Sequence, residues 1–194
     1  MIDPRWVFVS AVLGIAGSVR YAVAVVRGTV RPNLVTWSLW AAVPLIAFSA
    51  QLDSGVGLPA VQTLVAGAGP LVVVVTGLCT RRNLARLGVF DLACAAVAGA
   101  ALGAWLGLGE AALAVVFAVA ADAAAALPTV VKAWRDPASE NLLFYVLVGT
   151  GAAVTLLTIS SWSPAAWAFA AYVLTLCASL VAVVSVRRRV LQYA

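Results

Sequence analysis

Residues 111–135 read AALAVVFAVAADAAAALPTVVKAWR, a stretch in which Asp122 is the only charged residue before Lys132 and Arg135. At ~1.5 Å of rise per residue, a helix from 111 to 131 is long enough to cross the ~30 Å hydrocarbon core of a bilayer. A soluble helix needs a polar stripe facing water, and this run has none. It is therefore expected to be a membrane span with one carboxylate near its middle.

Similar runs fill the rest of the chain. Apolar stretches between charge clusters place spans at 6–26, 34–50, 57–78, 88–107, 111–131, 142–160 and 165–186. The expected fold is all-α and integral to the membrane, with seven transmembrane helices. Composition agrees: the 194 residues are 64% hydrophobic and 10% charged, with a mean hydropathy of +1.08, values that leave no charged surface for a soluble domain of this size. The opening Met1-Ile2-Asp3-Pro4-Arg5 is a poor basic leader, so the first run is read as a retained span. The fourth and fifth spans are divided by the short turn Leu106-Gly107-Leu108-Gly109-Glu110.

Orientation follows from the basic residues, which stay on the cytoplasmic side of span ends. Arg27 and Arg31, Arg81, Arg82 and Arg86, Lys132 and Arg135, and Arg187, Arg188 and Arg189 fall on one side; Arg5 stands on the other with Asp3, Asp53 and Glu110. This puts the N-terminus outside and the C-terminus in the cytoplasm. Trp6, Trp105, Trp162 and Trp167 are expected at the outer interface, and Trp134, Tyr145 and Tyr193 at the inner one. The net charge of +5 is accounted for by these edge residues and by anionic lipid headgroups, so no nucleic-acid partner is expected. Lys132 is the only lysine, and alanine, valine, glycine and arginine are abundant, the usage of a high-GC bacterium; a bacterial inner membrane is the expected location.

There is no histidine, and Cys79, Cys94 and Cys177 lie far apart. A metal site and a thiol–histidine nucleophile both lack their parts, so neither cofactor nor metal is expected. Paired carboxylates and a nucleophile–base spacing are likewise missing from the pattern, and an enzyme is not expected.

The segment from Arg27 to Leu39 can be laid over that from Arg135 to Leu147 at an offset of about 108, matching Asn33 to Asn141 and Trp37 to Tyr145. A second register, offset by about 105, matches Pro32 to Pro137 and Arg27 to Lys132. In both, the matched segment joins the first and second spans of a three-span unit. The expected organisation is residues 1–80 as a first triple-helix repeat, 81–109 as a linker helix and 110–194 as a second repeat. An odd linker makes the two repeats parallel, and substrate sites of such proteins lie between the halves.

This layout, with Pro128-Thr129 near the inner end of the fifth span followed by Lys132 and Ser139-Glu140-Asn141, resembles the PQ-loop and SWEET/SemiSWEET superfamily of small transporters. The family's Pro-Gln dipeptide is Pro128-Thr129 here, and the corresponding place in the first half holds Arg20-Tyr21. The resemblance implies alternating access between two triple-helix halves, moving a sugar or another small polar solute. The alternative is a non-transporting receptor or assembly partner. The sequence leaves oligomeric state open.

Candidate site residues follow from cost. An ionised carboxylate inside a span is expensive and faces a cavity or a partner, which singles out Asp122 for substrate binding or proton coupling. Arg20 and Asp91, each within two turns of the inner face, are candidates for an ion pair at an inner gate; snorkelling of Arg20 is the alternative. Pro128 removes a backbone hydrogen bond and is a candidate hinge together with Thr129. Asn33 and Asn141 are placed to cap helices. Trp37 and Trp40 offer indole faces to a solute, Thr150, Thr155 and Thr158 offer hydroxyls, and Gln62 lies near the outer end of the third span.

Overall fold

The computed structural model describes residues 2–80, 88–108 and 111–192, and among these the chain is helical throughout. Seven α-helices follow in order: α1 (Val7–Val26), α2 (Leu34–Asp53), α3 (Ala60–Thr80), α4 (Val89–Leu108), α5 (Ala111–Arg135), α6 (Leu142–Thr158) and α7 (Pro164–Gln192). Short 3-10 turns at Pro4–Trp6 and Pro137–Ser139 precede α1 and α6. Five segments are long and apolar enough to cross a membrane: Pro4–Val26, Leu34–Asp53, Ala60–Thr80, Val115–Arg135 and Pro164–Leu191. The 17-residue α6 is shorter, ~25 Å at ~1.5 Å per residue.

Local chemistry sets the helix ends. Asn33 Oδ1 accepts hydrogen bonds from the backbone of Val35 (3.1 Å) and Thr36 (3.3 Å), and Asn141 Oδ1 accepts one from Phe144 (3.3 Å). Both residues cap their helices, at matching places in the two halves. Between α2 and α3 the chain turns through Gly55 and Gly57, at φ of 68° and 72°, a region that side chains disfavour. Hence α2 continues to Asp53, beyond the expected 50, and α3 begins at Ala60 rather than 57. At the other extreme α7 runs through Arg187, Arg188 and Arg189 to Gln192, since arginine favours a helix and nothing there stops one. Arg81, Arg82, Arg86, Gly109, Glu110 and Tyr193, and the side chains of Cys94 and Trp105, lie outside the described residues.

Six helices close a ring. Around it α1 packs on α3, α3 on α2, α2 on α5, α5 on α7, α7 on α6, and α6 back on α1. Thus α3 sits between α1 and α2, and α7 between α5 and α6. The remaining helix, α4, lies outside the ring against α5, with a smaller contact to α2.

Close approach of α3 to both neighbours rests on glycine. A Cβ on Gly67 would come within 2.7 Å of Leu45 and 2.9 Å of the Ala41 carbonyl, and one on Gly69 would overlap Ser18. In lipid, where apolar burial gives little drive for helices to associate, this small-residue contact is what packing energy requires. The outside is correspondingly apolar: Phe8, Val12, Ile15, Val19, Val23 and Val26 form one exposed stripe along α1.

The core is densest near the end that carries the basic residues, called the basic end below. Tyr21, Trp37 and Phe144, from α1, α2 and α6, form a triangle with ring centroids 4.3, 5.1 and 5.4 Å apart. Trp40 and Tyr145 stand edge-on against it at 5.5 and 5.1 Å. Edge-to-face and tilted geometries add to the area these rings bury, and the cluster spans both halves of the chain.

Candidate functional site

All six ring helices line one cavity, and α4 contributes nothing to it. Its volume is about 60 Å³, room for roughly four waters at ~15 Å³ each. The walls are largely apolar and aromatic, including Trp40, Phe144, Tyr145 and Phe169, with the helix-interrupting Pro44 and Pro70 also on the surface.

Asp122 enters this cavity halfway along α5 and is only 4% exposed. Its Oδ2 accepts a hydrogen bond from the Tyr172 hydroxyl at 2.6 Å, and its Oδ1 has no hydrogen-bond partner. Two further lining atoms are buried and unpartnered: Gln62 Oε1 and Trp40 Nε1. Buried polar atoms are normally paired, so these three leave unmet hydrogen-bonding capacity among the residues of one cavity. No arginine or lysine lines it.

A second polar assembly closes the basic end. Glu140, 2% exposed, accepts hydrogen bonds on Oε2 from Tyr145 (2.7 Å) and Tyr21 (3.2 Å), and its other oxygen forms an ion pair with Lys132. Its backbone carbonyl takes a hydrogen bond from Arg188 at 2.7 Å. Arg31, in the α1–α2 connection, is fastened to the same region three times. Its amide donates to the Ser139 carbonyl (3.1 Å), its guanidinium pairs with Asp136, and its carbonyl accepts from Lys132. The α1–α2 and α5–α6 connections, matched in sequence, are thus bonded to each other.

At the opposite end lies a shallow polar depression of about 300 Å³, lined by residues such as Ser54, Thr158, Ser160 and Ser163. The wall between it and the cavity carries buried hydroxyls: Thr155 donates to Ser10 Oγ at 2.9 Å, and Thr158 to the Thr155 carbonyl at 2.6 Å. Gln51 ties α2 to α7 there through a 2.9 Å hydrogen bond to the Ala165 carbonyl.

The other sequence candidates scatter. Arg20 and Asp91 are not brought together: Arg20 is exposed on α1, in an outer groove with Arg27, in keeping with snorkelling. Asp91 instead accepts 2.6 Å hydrogen bonds from Asn33 Nδ2 and the Gly88 amide, fastening the start of α4 to the start of α2. Thr150 is exposed and bonds to its own helix at Val146, away from the cavity. Trp37 is fully buried in the aromatic triangle without lining the cavity, whereas Trp40 does both. Pro128 and Thr129 are buried in α5, with the Thr129 hydroxyl unpartnered. Tyr21 belongs to the Glu140 assembly. Tyr145, expected as an interfacial anchor, is 1% exposed and binds Glu140; the acid in the preceding loop draws its hydroxyl inward. Trp6, Trp134 and Trp162 are exposed, and Trp134 lies under the Arg187 guanidinium at 4.8 Å.

Sequence reasoning named Asp122 and missed its partner. Tyr172 is 50 residues away on another helix, and no local spacing links the two. Glu140 was in view as a loop residue, but only the fold surrounds it with tyrosines. Among the described residues no three of His, Cys, Asp or Glu assemble as metal ligands. No family model matches the sequence, and no curated protein or solved structure matches it either.

Proposed function

We propose that this chain is a small-solute transporter of the bacterial inner membrane, with seven crossings arranged as two parallel three-helix repeats about the linker α4. The observation that carries this reading is the central cavity, which draws on all six ring helices and holds an incompletely paired carboxylate halfway through the bundle. The equivalent packing order in the two halves supports the repeat. So does the similarity to PQ-loop and SWEET-like proteins in the placing of Pro128-Thr129 and of the matched connections.

In this mechanism the described conformation is the one closed toward the cytoplasm. The basic end is shut by the aromatic triangle and by the bonds among Arg31, Lys132, Asp136 and Ser139, while the opposite end presents its polar depression. Rocking one half against the other about α5, where Pro128 has removed a backbone hydrogen bond, breaks the Arg31 contacts and exposes the cavity to the other side. The Arg31–Asp136 pair is exposed, and exposed ion pairs are weak, about 0–1 kcal/mol, so this part of the fastening opens at little cost.

Reconstitution into liposomes tests this. Solute uptake above protein-free vesicles, reduced in Asp122→Asn, is the expected result; a folded preparation that moves no sugar, amino acid or organic cation overturns it.

A further inference from the structure

We propose that the Asp122 cavity is a site for a compact protonated amine rather than for a sugar. The proposal rests on the reading of this cavity as the solute site and names the class of solute.

Three observations carry it. First, the unpartnered atoms have a definite chemistry: Asp122 Oδ1 and Gln62 Oε1 are buried acceptors, and the unpartnered donors Trp40 Nε1 and Gln62 Nε2 are neutral. A primary ammonium brings donors and no acceptor, so it complements the two oxygens, whereas a hexose brings five hydroxyls that each demand partners this wall does not have. Buried hydroxyls left unpaired weaken binding.

Second, charge points the same way. No basic side chain lines the cavity, and the only protein hydrogen bond to the Asp122 carboxylate is from neutral Tyr172. A buried anion is stabilised most by a cation that hydrogen-bonds to it. Third, the remaining wall is aromatic and aliphatic. The rings of Trp40, Phe144, Tyr145 and Phe169 suit the apolar body of an amine and its charge, through the negative faces of their π-systems. A bare metal ion is disfavoured by the same inventory, since two unpartnered oxygens fall short of the six or more that hard cations take.

Volume sets the size. About 60 Å³ admits roughly four non-hydrogen atoms on the water scale, the size of propylammonium. The test compares propylammonium with 1-propanol, which has the same shape without the charge, and with glucose, each added to the purified full chain in lipid nanodiscs at neutral pH. A ligand bound only by the folded state raises the apparent unfolding temperature.

The expected result is a saturable rise with propylammonium, none with propanol or glucose, and a loss of affinity of about tenfold or more in Asp122→Asn, the order of a charge-assisted hydrogen bond. Tyr172→Phe keeps the carboxylate and is expected to keep the response. A response to glucose without one to propylammonium overturns the amine assignment and leaves the transporter reading standing. Equal responses to propylammonium and propanol, or an undiminished response in Asp122→Asn, overturn the role of the charge. If none of the three produces a response, the amine proposal falls, and the transporter reading is then decided by liposome uptake.

Discussion

Two of the carboxylates buried in this bundle, Glu140 and Asp122, have surroundings that differ. Glu140 is held on both oxygens: an ion pair with Lys132 on one, two tyrosine hydroxyls on the other, and Arg188 on its backbone carbonyl. Asp122 has one hydroxyl and one bare oxygen. A buried charge held by a cation and two hydroxyls fixes the parts around it, because removing any partner strands the others. A buried charge that is half met lacks that hold and keeps a capacity to bind. The first arrangement belongs to architecture, and the second leaves an acceptor open.

The strongest way to break this comparison is to truncate the ion-paired acid. Glu140→Ala strands Lys132 and two buried tyrosine hydroxyls, and is expected to destabilise the fold by roughly 3–5 kcal/mol, read as a lower apparent unfolding temperature and poorer yield in detergent. Lys132→Met should recover little of that loss when added to Glu140→Ala, since the tyrosines stay unpaired. A Glu140→Ala protein as stable as the parent would show the cluster to be wetted rather than sealed.

Asp122→Asn should behave oppositely. The amide oxygen still accepts from Tyr172, and the buried charge is gone, so stability is expected to change by no more than ~1 kcal/mol while solute response is lost. A large loss of stability here would make Asp122 a structural residue like Glu140, and the contrast would collapse.

Smaller again is Arg31→Ala. Its ion pair with Asp136 is 53% and 37% exposed on the two sides, so the expected loss is ~0.2–1 kcal/mol, and a double-mutant cycle with Asp136→Ala should give a coupling of that order. At the bottom stands Thr150→Ala. Its hydroxyl bonds only to Val146 on its own helix, and the change should stay within ~0.5 kcal/mol and leave uptake untouched; a transport defect would place a solute path on the outer face of α6.

These contrasts also mark what the sequence could reveal. Apolar runs between charges located the seven helices, five segments of which are long and apolar enough to cross a membrane, and the two asparagine caps and Asp122 follow from local chemistry alone. The α6 face did not. Leu142 to Thr158 is apolar almost all round, so nothing in the pattern tells inside from outside; only packing puts Gly149, Gly151, Ala152 and Thr155 inward and Leu143, Val146, Thr150 and Leu157 outward. Partner identity was equally hidden. The Arg20–Asp91 pairing treated like depth in the membrane as proximity, whereas the fold turns Arg20 outward and gives Asp91 to Asn33. The amide of Asn33 lies within hydrogen-bond reach of Asp91, whereas the Arg20 guanidinium faces outward.

Lys132 is the only lysine in the chain, and it is also one of the fastenings between the two halves, held by Glu140 and by the Arg31 carbonyl. An amine-selective acylating reagent therefore has a single side-chain target, one that is shielded while the fastening holds. The rate of its modification becomes a clock for the unfastened population, measurable by intact mass without introducing any label or mutation.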